Sequence, residues 1–495
     1  MARRAWLVVI VIGVLVTAAG VGLAPRLFAG EKVLSGLGPA FTPARVAGAD
    51  AGVGFLSELT AMVGPLATGS GGAEQEIPRF LRLLARPRRH GQETDAQVLA
   101  ALAHQFPQAA ALIEAVPLTG VSKEIAPLLF PTLFPSVLSA TPAISKAALA
   151  LPPVTAGWLA VPGIGPLRRF SGAPVITWPQ VVDYFAGDLV PLLEQQQRRF
   201  RALRGDGGVG FLAPLLIVLG LALAVYGVRM SGSRSRSRSA WTPVAAVGAL
   251  VLILILALNL YSRMSSGQKL LDAARPAFTK ARVDGDVAAM AYAAQVVLAT
   301  DPLVLPGGAA SEVPTFARLY ASRTHLSAGA AAQSLNSGFP HLAALLRALP
   351  LSSVDSELPA LISEIASLRH VSTPDAMLAR IDREFPALGA SLTALGPVVN
   401  GWLNVPGTAG LTRFDGQPAQ SFDQVYDYLS GDLVAAFARQ RGHFEELRGD
   451  WPRLTLIAPV LTGVGGVVLL YALVMVGLLS LARVRRGSPA PDPPE

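Results

Sequence analysis

The chain contains no cysteine. That absence excludes disulfides, thiolate metal sites, a cysteine nucleophile and a lipoprotein-type acylation site. Any outward-facing domain must therefore hold together by packing alone. Charge is scarce as well: 15% of the 495 residues are Asp, Glu, Lys or Arg, against 52% hydrophobic. Four stretches, 6–23, 209–228, 241–260 and 457–481, contain no Asp, Glu, Lys, Arg or His. Roughly 20 apolar residues suffice to cross a bilayer as a helix, so the chain reads as an all-α integral membrane protein with four transmembrane helices. Ion-coupled transporters place acidic, basic or histidine side chains within their bundles, and their lack here argues against that class. Catalytic signatures are missing too. The six histidines, His90, His104, His325, His341, His370 and His443, form no His-Glu-x-x-His and no i, i+4 pair. A helical zinc motif is thereby excluded, and neither a Gly-x-Ser-x-Gly elbow nor a phosphate-binding Gly-x4-Gly-Lys-Ser/Thr loop occurs.

What is present is a repeat. Residues 157–206 align without a gap on 401–450 and are identical at 25 of 50 positions. Gly157-Trp158-Leu159 matches Gly401-Trp402-Leu403, Arg169-Phe170 matches Arg413-Phe414, and Gly187-Asp188-Leu189-Val190 matches Gly431-Asp432-Leu433-Val434. Ala44-Arg45-Val46 recurs as Ala281-Arg282-Val283, and Phe106-Pro107 as Phe339-Pro340. Each copy runs span, long polar stretch, span, so the expectation is a parallel tandem duplication with a pseudo-twofold axis along the membrane normal. None of the six histidines has a histidine at its matching position, which points to solvent-facing sites.

Orientation follows from arginines beside the spans. Arg3 and Arg4 precede the first, Arg229, Arg234, Arg236 and Arg238 fill the link at 229–240, and Arg483, Arg485 and Arg486 follow the last. Those nine, less Asp492 and Glu495, supply seven of the eight net positive charges. Both termini (1–5 and the Pro-rich, disordered tail 482–495) and the link are then cytoplasmic, and the stretches 24–208 and 261–456 form two mainly helical extracytoplasmic domains. The same distribution removes a nucleic-acid reading, because the basic excess is topogenic rather than a binding patch. The first span exceeds a signal-peptide core of roughly 7–15 residues and its counterpart is internal, so it reads as a retained anchor in a cytoplasmic membrane. With 36 Arg to 5 Lys, the composition is that of a high-GC bacterial genome.

Stretches 96–116 and 331–349 are rich in Ala and Leu at three- and four-residue spacing and read as helices. The Gly/Pro-rich segments 161–178 and 405–422 read as a short hairpin or ordered loop. From 180 to 203, Phe185, Leu189, Leu192, Gln196, Phe200 and Leu203 fall on one helical stripe, repeated as Leu429, Leu433, Ala436, Gln440, Phe444 and Leu447. These helices read as stalks on the bilayer, with Gln196 and Gln440 as solvent-edge or water-satisfied residues or as a register-setting pair between the stalks. Trp6, Tyr226, Trp241, Tyr261 and Trp451 are placed as interfacial anchors. Gly220, Ala224, Ala245, Ala249, Gly463, Gly465 and Gly466 give small faces for helix packing or homo-oligomerisation. The Gly205, Gly207, Gly210 match to a dinucleotide fingerprint lacks a preceding strand and reads as a hinge.

The candidate surface comprises residues shared by both copies: Trp158, Arg169, Asp183, Asp188 and Phe200, with Trp402, Arg413, Asp427, Asp432 and Phe444. An Arg–Asp pair tying loop to helix accounts for the charged ones. No cofactor, metal or catalytic residue is expected. The leading expectation is a non-enzymatic membrane scaffold or accessory subunit for cell-envelope assembly or export, binding membrane lipids or an envelope protein. The alternative is a lipid-transport component with an apolar groove lined by Phe185, Phe200, Leu429 and Phe444. An envelope hydrolase ranks last, since nothing supplies a nucleophile or tuned base.

Overall fold

A proline at the first position of a helix leaves the N–H groups behind it without intrahelical partners. Four such helices begin after Phe106, Thr141, Phe339 and Phe385, whose backbones share one extended kink (φ −128 to −140, ψ 61 to 71). The stretches expected as continuous helices at 96–116 and 331–349 are therefore broken in two. Asp95–Gln105 is followed by Pro107–Ala115, and Ala328–Gly338 by Pro340–Ala348. Proline disfavours the α conformation in the residue before it, which is the physical reason for both breaks.

The computed structural model describes all residues except 1, 68–72, 86–93, 117, 129–138, 205–209, 233–237, 449–452 and 488–495. His90, Gly205, Gly207, Arg234, Arg236, Trp451 and the end of the tail lie outside the described residues. Among those described, the fold is helical, with two isolated bridges in place of strands. Six helices are long and apolar enough to cross a membrane. They divide by environment. In Pro43–Ala67 and Lys280–Val304, 61% and 56% of the most apolar window is buried within the protein, against 17–33% in the other four.

The chain forms two compact units. The first, here the apolar unit, comprises 1–42, 192–279 and 436–495. Helix Ala2–Leu37 runs on beyond the apolar stretch and packs along Leu212–Ser231, while Thr242–Ala257 packs along Leu454–Gly487. Glycine makes both approaches close: a Cβ on Gly13 would lie 2.5 Å from the Ala224 nitrogen, and one on Gly248 2.7 Å from that of Leu469. The Gly220 and Gly465 faces are thus occupied within the chain, against Gly13 and Gly248. Trp6 and Trp241 are not exposed anchors. They stack on each other at 4.1 Å, nearly fully buried, where Tyr226 donates to the Ala240 carbonyl and Tyr471 to that of Ala5. Indoles that meet a ring face and a helix face gain more from packing than from the interface.

The second, here the interleaved unit, comprises 43–191 and 280–435. The sequence suggested a separate domain for each outer stretch; the structure weaves the two together. Pro43–Ala67 packs on Pro386–Gly401, Lys280–Val304 on Pro142–Gly157, and Pro107–Ala115 on Pro340–Ala348. In each pair one helix comes from each stretch. A stretch of helices each apolar on one face cannot bury all those faces against itself, and the other stretch supplies what is missing.

Candidate functional site

The residues shared by the two halves build matching corners. In the first, Arg169 N–H donates to the Ala173 carbonyl and Val175 N–H to that of Leu167, closing a hairpin-like loop. Gly172 at φ +93 turns it, and Gly416 at φ +92 does so in the second half; only glycine adopts this conformation freely. The loop is held to the following helix by Asp188, whose carboxylate accepts from both the Arg169 guanidinium (3.2 and 3.3 Å) and the Phe170 N–H (2.9 Å). Asp432 repeats the arrangement with Arg413 and Phe414, and Asp427 adds a second contact to Arg413 at 3.2 Å. Asp183, the counterpart of Asp427, is exposed. The hydrogen bond to Asp188 raises the Arg169 pKa, and that to Asp432 raises the Arg413 pKa.

The helix carrying each aspartate departs from the regular stripe expected between 180 and 203. Phe185–Leu189 and Tyr428–Val434 are π-helical turns, each containing the Gly-Asp-Leu motif. A wide turn re-aims one residue, here delivering the carboxylate to the loop arginine. Gly187 leaves room for it: a Cβ there would lie 2.4 Å from the Arg169 guanidinium.

Each loop is also gripped from the other half. Arg282 donates to the Arg168 and Arg169 carbonyls (2.8 and 2.7 Å) and lies over the Phe170 ring. Arg45 does the same to the carbonyls of Thr412 and Arg413, over Phe414. Trp158 and Trp402 are buried packing residues at 1% and 2% exposure. The Trp402 indole N–H donates to Asp301.

Four glutamates that the sequence did not single out complete the interleaving. Glu76 accepts from the N–H groups of Ala387 and Leu388, and Glu312 from those of Ala143 and Ile144. Glu124 accepts from His341 and Leu342, and Glu357 from Gln108 and Ala109. All eight bonds measure 2.8–3.2 Å. Each carboxylate thus caps a proline-initiated helix of the opposite half, where the helix dipole favours negative charge. One signal was available: Glu76 and Glu312 lie 236 residues apart, the spacing that separates Pro78 from Pro314. His341, expected at a solvent-facing site, is half-buried beside the Glu114 carbonyl. No group of three or more His, Asp or Glu side chains that could hold a metal occurs among the described residues.

Three of the remaining hollows are apolar, and a fourth, of about 320 Å³ in the interleaved unit, is partly polar, lined by His104, Gln105 and Glu364 beside Leu102 and Phe106. The interleaved unit encloses a cavity of about 90 Å³ walled by side chains such as Met62, Phe80, Leu151, Leu345 and Leu395. In the apolar unit a cavity of about 60 Å³ is lined by Phe41, Phe200, Phe278 and Phe444. Phe41 stacks on Phe200 at 4.3 Å and Phe278 on Phe444 at 4.1 Å. Phe200 and Phe444 are therefore brought together, whereas Phe185 and Leu429 are buried in the interleaved unit, apart from this cavity. Gln196 lines the cavity and accepts from Arg199; Gln440 Oε1 is buried without a partner, and no hydrogen bond joins the two glutamines among the described residues. A third hollow, a groove of about 790 Å³, lies in the same unit between Ile12–Leu23 and Leu456–Val467. No protein family, no curated protein and no solved structure matches this chain.

Proposed function

We propose that the protein is a non-enzymatic, lipid-handling accessory of a bacterial cytoplasmic membrane. In this reading a tandem duplication carries four helices across the bilayer, with both termini cytoplasmic. The helices Pro43–Ala67 and Lys280–Val304 stay outside as core helices of the interleaved unit, in keeping with their burial. The observation that carries the reading is the aromatic-walled cavity of the apolar unit, to which both halves contribute equivalent phenylalanines. Apolar hollows suit hydrocarbon rather than polar ligands. The polar residues shared by the halves are engaged with each other: Asp188 and Asp432 hold arginines and backbone, which speaks against an envelope hydrolase.

Native mass spectrometry of the full chain in mild detergent tests this. The expected result is a stoichiometric lipid mass that Phe200→Asp and Phe444→Asp remove while helicity by circular dichroism persists. The runner-up, an envelope scaffold, rests on the interleaved unit, whose polar matching residues support fold rather than ligand. A co-purifying protein with no lipid adduct puts the scaffold in first place.

A further inference from the structure

The two loop–helix corners share an arginine, a phenylalanine and a tyrosine, and they differ at the residue behind the tyrosine. In the second corner Arg45 lies over the Phe414 ring, and that ring meets Tyr428 edge-on at 6.2 Å. The Tyr428 hydroxyl then donates to the Arg45 carbonyl and closes the circuit. In the first corner Arg282 lies over Phe170, and Phe170 meets Tyr184 edge-on at 6.1 Å. Here the circuit stays open, because the Tyr184 hydroxyl is buried without a hydrogen-bond partner. Where the second corner has Ala49, the first has Asp286, whose Oδ1 is likewise buried and unpartnered.

Asp286 stands one helical turn beyond Arg282, on the same face of helix Lys280–Val304. The guanidinium of Arg282 holds the Arg168 and Arg169 carbonyls of the loop. Helix and loop are pressed together around that grip: a Cβ on Gly285 would lie 3.0 Å from the Leu167 Cβ and 3.3 Å from the Ile164 carbonyl oxygen. The other charged and titratable groups on the surrounding elements are engaged elsewhere. On the same helix Lys280 pairs with Asp284. In the loop Arg168 donates to the Gly172 carbonyl and Arg169 pairs with Asp188. Asp183 and Lys146, on the two helices flanking the loop, are exposed. Tyr426 donates to the Met290 carbonyl, Asp427 and Asp432 hold Arg413, and Glu312 and Glu357 cap helices. Tyr184 and Arg282 are the groups that act on the Asp286 carboxyl. A buried carboxylate is costly unless a cation pairs with it, and the cation within reach is the one that grips the loop.

We propose that Asp286 is a proton-operated latch on the first corner: protonated, it leaves Arg282 on the loop 161–178, and ionised, it draws Arg282 away so that the loop comes off helix Lys280–Val304. The second corner, with Ala49 in that place, carries no latch and stays shut. This goes beyond the lipid-handling reading and does not depend on it. Burial raises the Asp286 pKa well above the ordinary range, with Tyr184 and Arg282 opposing it. In an opened corner the carboxyl returns to an ordinary value of about 4. The closed state is therefore favoured in full below about pH 4. Its closed-to-open ratio then falls by up to about tenfold for each pH unit, until the closed-state pKa is reached.

Hydrogen–deuterium exchange of the full chain in mild detergent, from about pH 5 to about pH 9, reads both corners in one molecule. The reporters are the hydrogen-bonded N–H groups of Arg169 and Val175 in the first loop and of Arg413 and Ala419 in the second. Dividing one loop's rate by the other's removes the pH dependence of the exchange chemistry. The expected result is that the first loop loses protection relative to the second as pH rises, by up to about tenfold per unit. Asp286→Asn and Asp286→Ala should each make the ratio flat, and Ala49→Asp should confer the slope on the second loop. Arg282→Gln should leave the first loop as open at low pH as the wild-type loop is at high pH. A flat wild-type ratio overturns the proposal without recourse to any variant. A slope that persists in Asp286→Asn, or full low-pH protection in Arg282→Gln, overturns it as well.

Discussion

At one matching position the first half of the chain carries Ala49 and the second carries Asp286. Both are buried, at 0% and 4% exposure. The neighbouring tyrosines differ accordingly. Tyr428 donates to the Arg45 carbonyl, whereas its counterpart Tyr184 faces the Asp286 carboxyl without hydrogen-bond geometry, leaving the hydroxyl and Oδ1 unpaired. Burial, the dominant influence, raises the Asp286 pKa well above the ordinary carboxylate range, with Tyr184 and Arg282 opposing it. A second difference lies in the apolar unit. Helix Ala2–Leu37 is unbroken, but its counterpart stops at Ala257 and restarts at Leu260, with Asn259 left-handed at φ +46. The shared contacts, two close glycine crossings, four capping glutamates and two gripped loops, survive both divergences. Framework contacts thus tolerate local strain around them, and substitutions can ask whether the halves are also energetically alike.

The largest effect is expected at the glycine crossings. Gly13→Leu and Gly248→Leu each drive a side chain into backbone, and both should abolish monodisperse folded protein on size exclusion; survival of one alone would show that the two crossings carry unequal weight. Next come the capping carboxylates. Glu76→Ala and Glu312→Ala should each cost about 2 kcal/mol in denaturant unfolding, because two helix N–H groups lose a charged acceptor. The pair should be additive to about 0.5 kcal/mol if the caps act independently.

Asp286→Ala, which installs the first half's residue, should raise stability by about 1–3 kcal/mol at neutral pH by removing an unpaired buried carboxyl. The sign with pH is definite. A folded-state pKa above the unfolded one contributes stability that is complete below the unfolded value of about 4 and is lost as pH rises towards the folded one. Wild-type melting temperature should therefore fall over that window relative to Asp286→Ala. Parallel curves for the two proteins would remove Asp286 as the source of the difference. The smallest effect is reserved for Asn259. Glycine there should change stability by less than about 0.5 kcal/mol, whereas valine, which tolerates positive φ poorly, should cost about 1–3 kcal/mol.

The sequence made the apolar stretches, the matching motifs and the loop–helix aspartates legible, because each depends on residues close together in the chain. The breaks at Phe106 and Phe339 were readable in principle from the prolines that follow them. The π-turns at Gly187-Asp188 and Gly431-Asp432 were not, since an extra residue in a turn leaves the surrounding apolar spacing helical in appearance. Least visible was the interleaving itself. An apolar face on Pro43–Ala67 looks the same whether it meets its own half or Pro386–Gly401, and Glu76 differs from a solvent glutamate only by what stands 311 residues away. The apolar cavity was anticipated through Phe200 and Phe444; Phe185 and Leu429 fell elsewhere because the π-turns rotate the stripe between them.

That separation has a consequence for synthesis. At roughly 5–20 residues per second, the helix that Glu76 caps, 311 residues downstream, leaves the ribosome about 15–60 s after the glutamate does. For the part of that interval after residue 208 the first long stretch has made every helix it contributes, yet lacks partners in the second that bury them. On the proposed four-span topology the nascent chain crosses the membrane, returns and crosses again before its two long stretches can zip together, so a folding helper at the membrane would find its client open for most of the time the chain takes to be made.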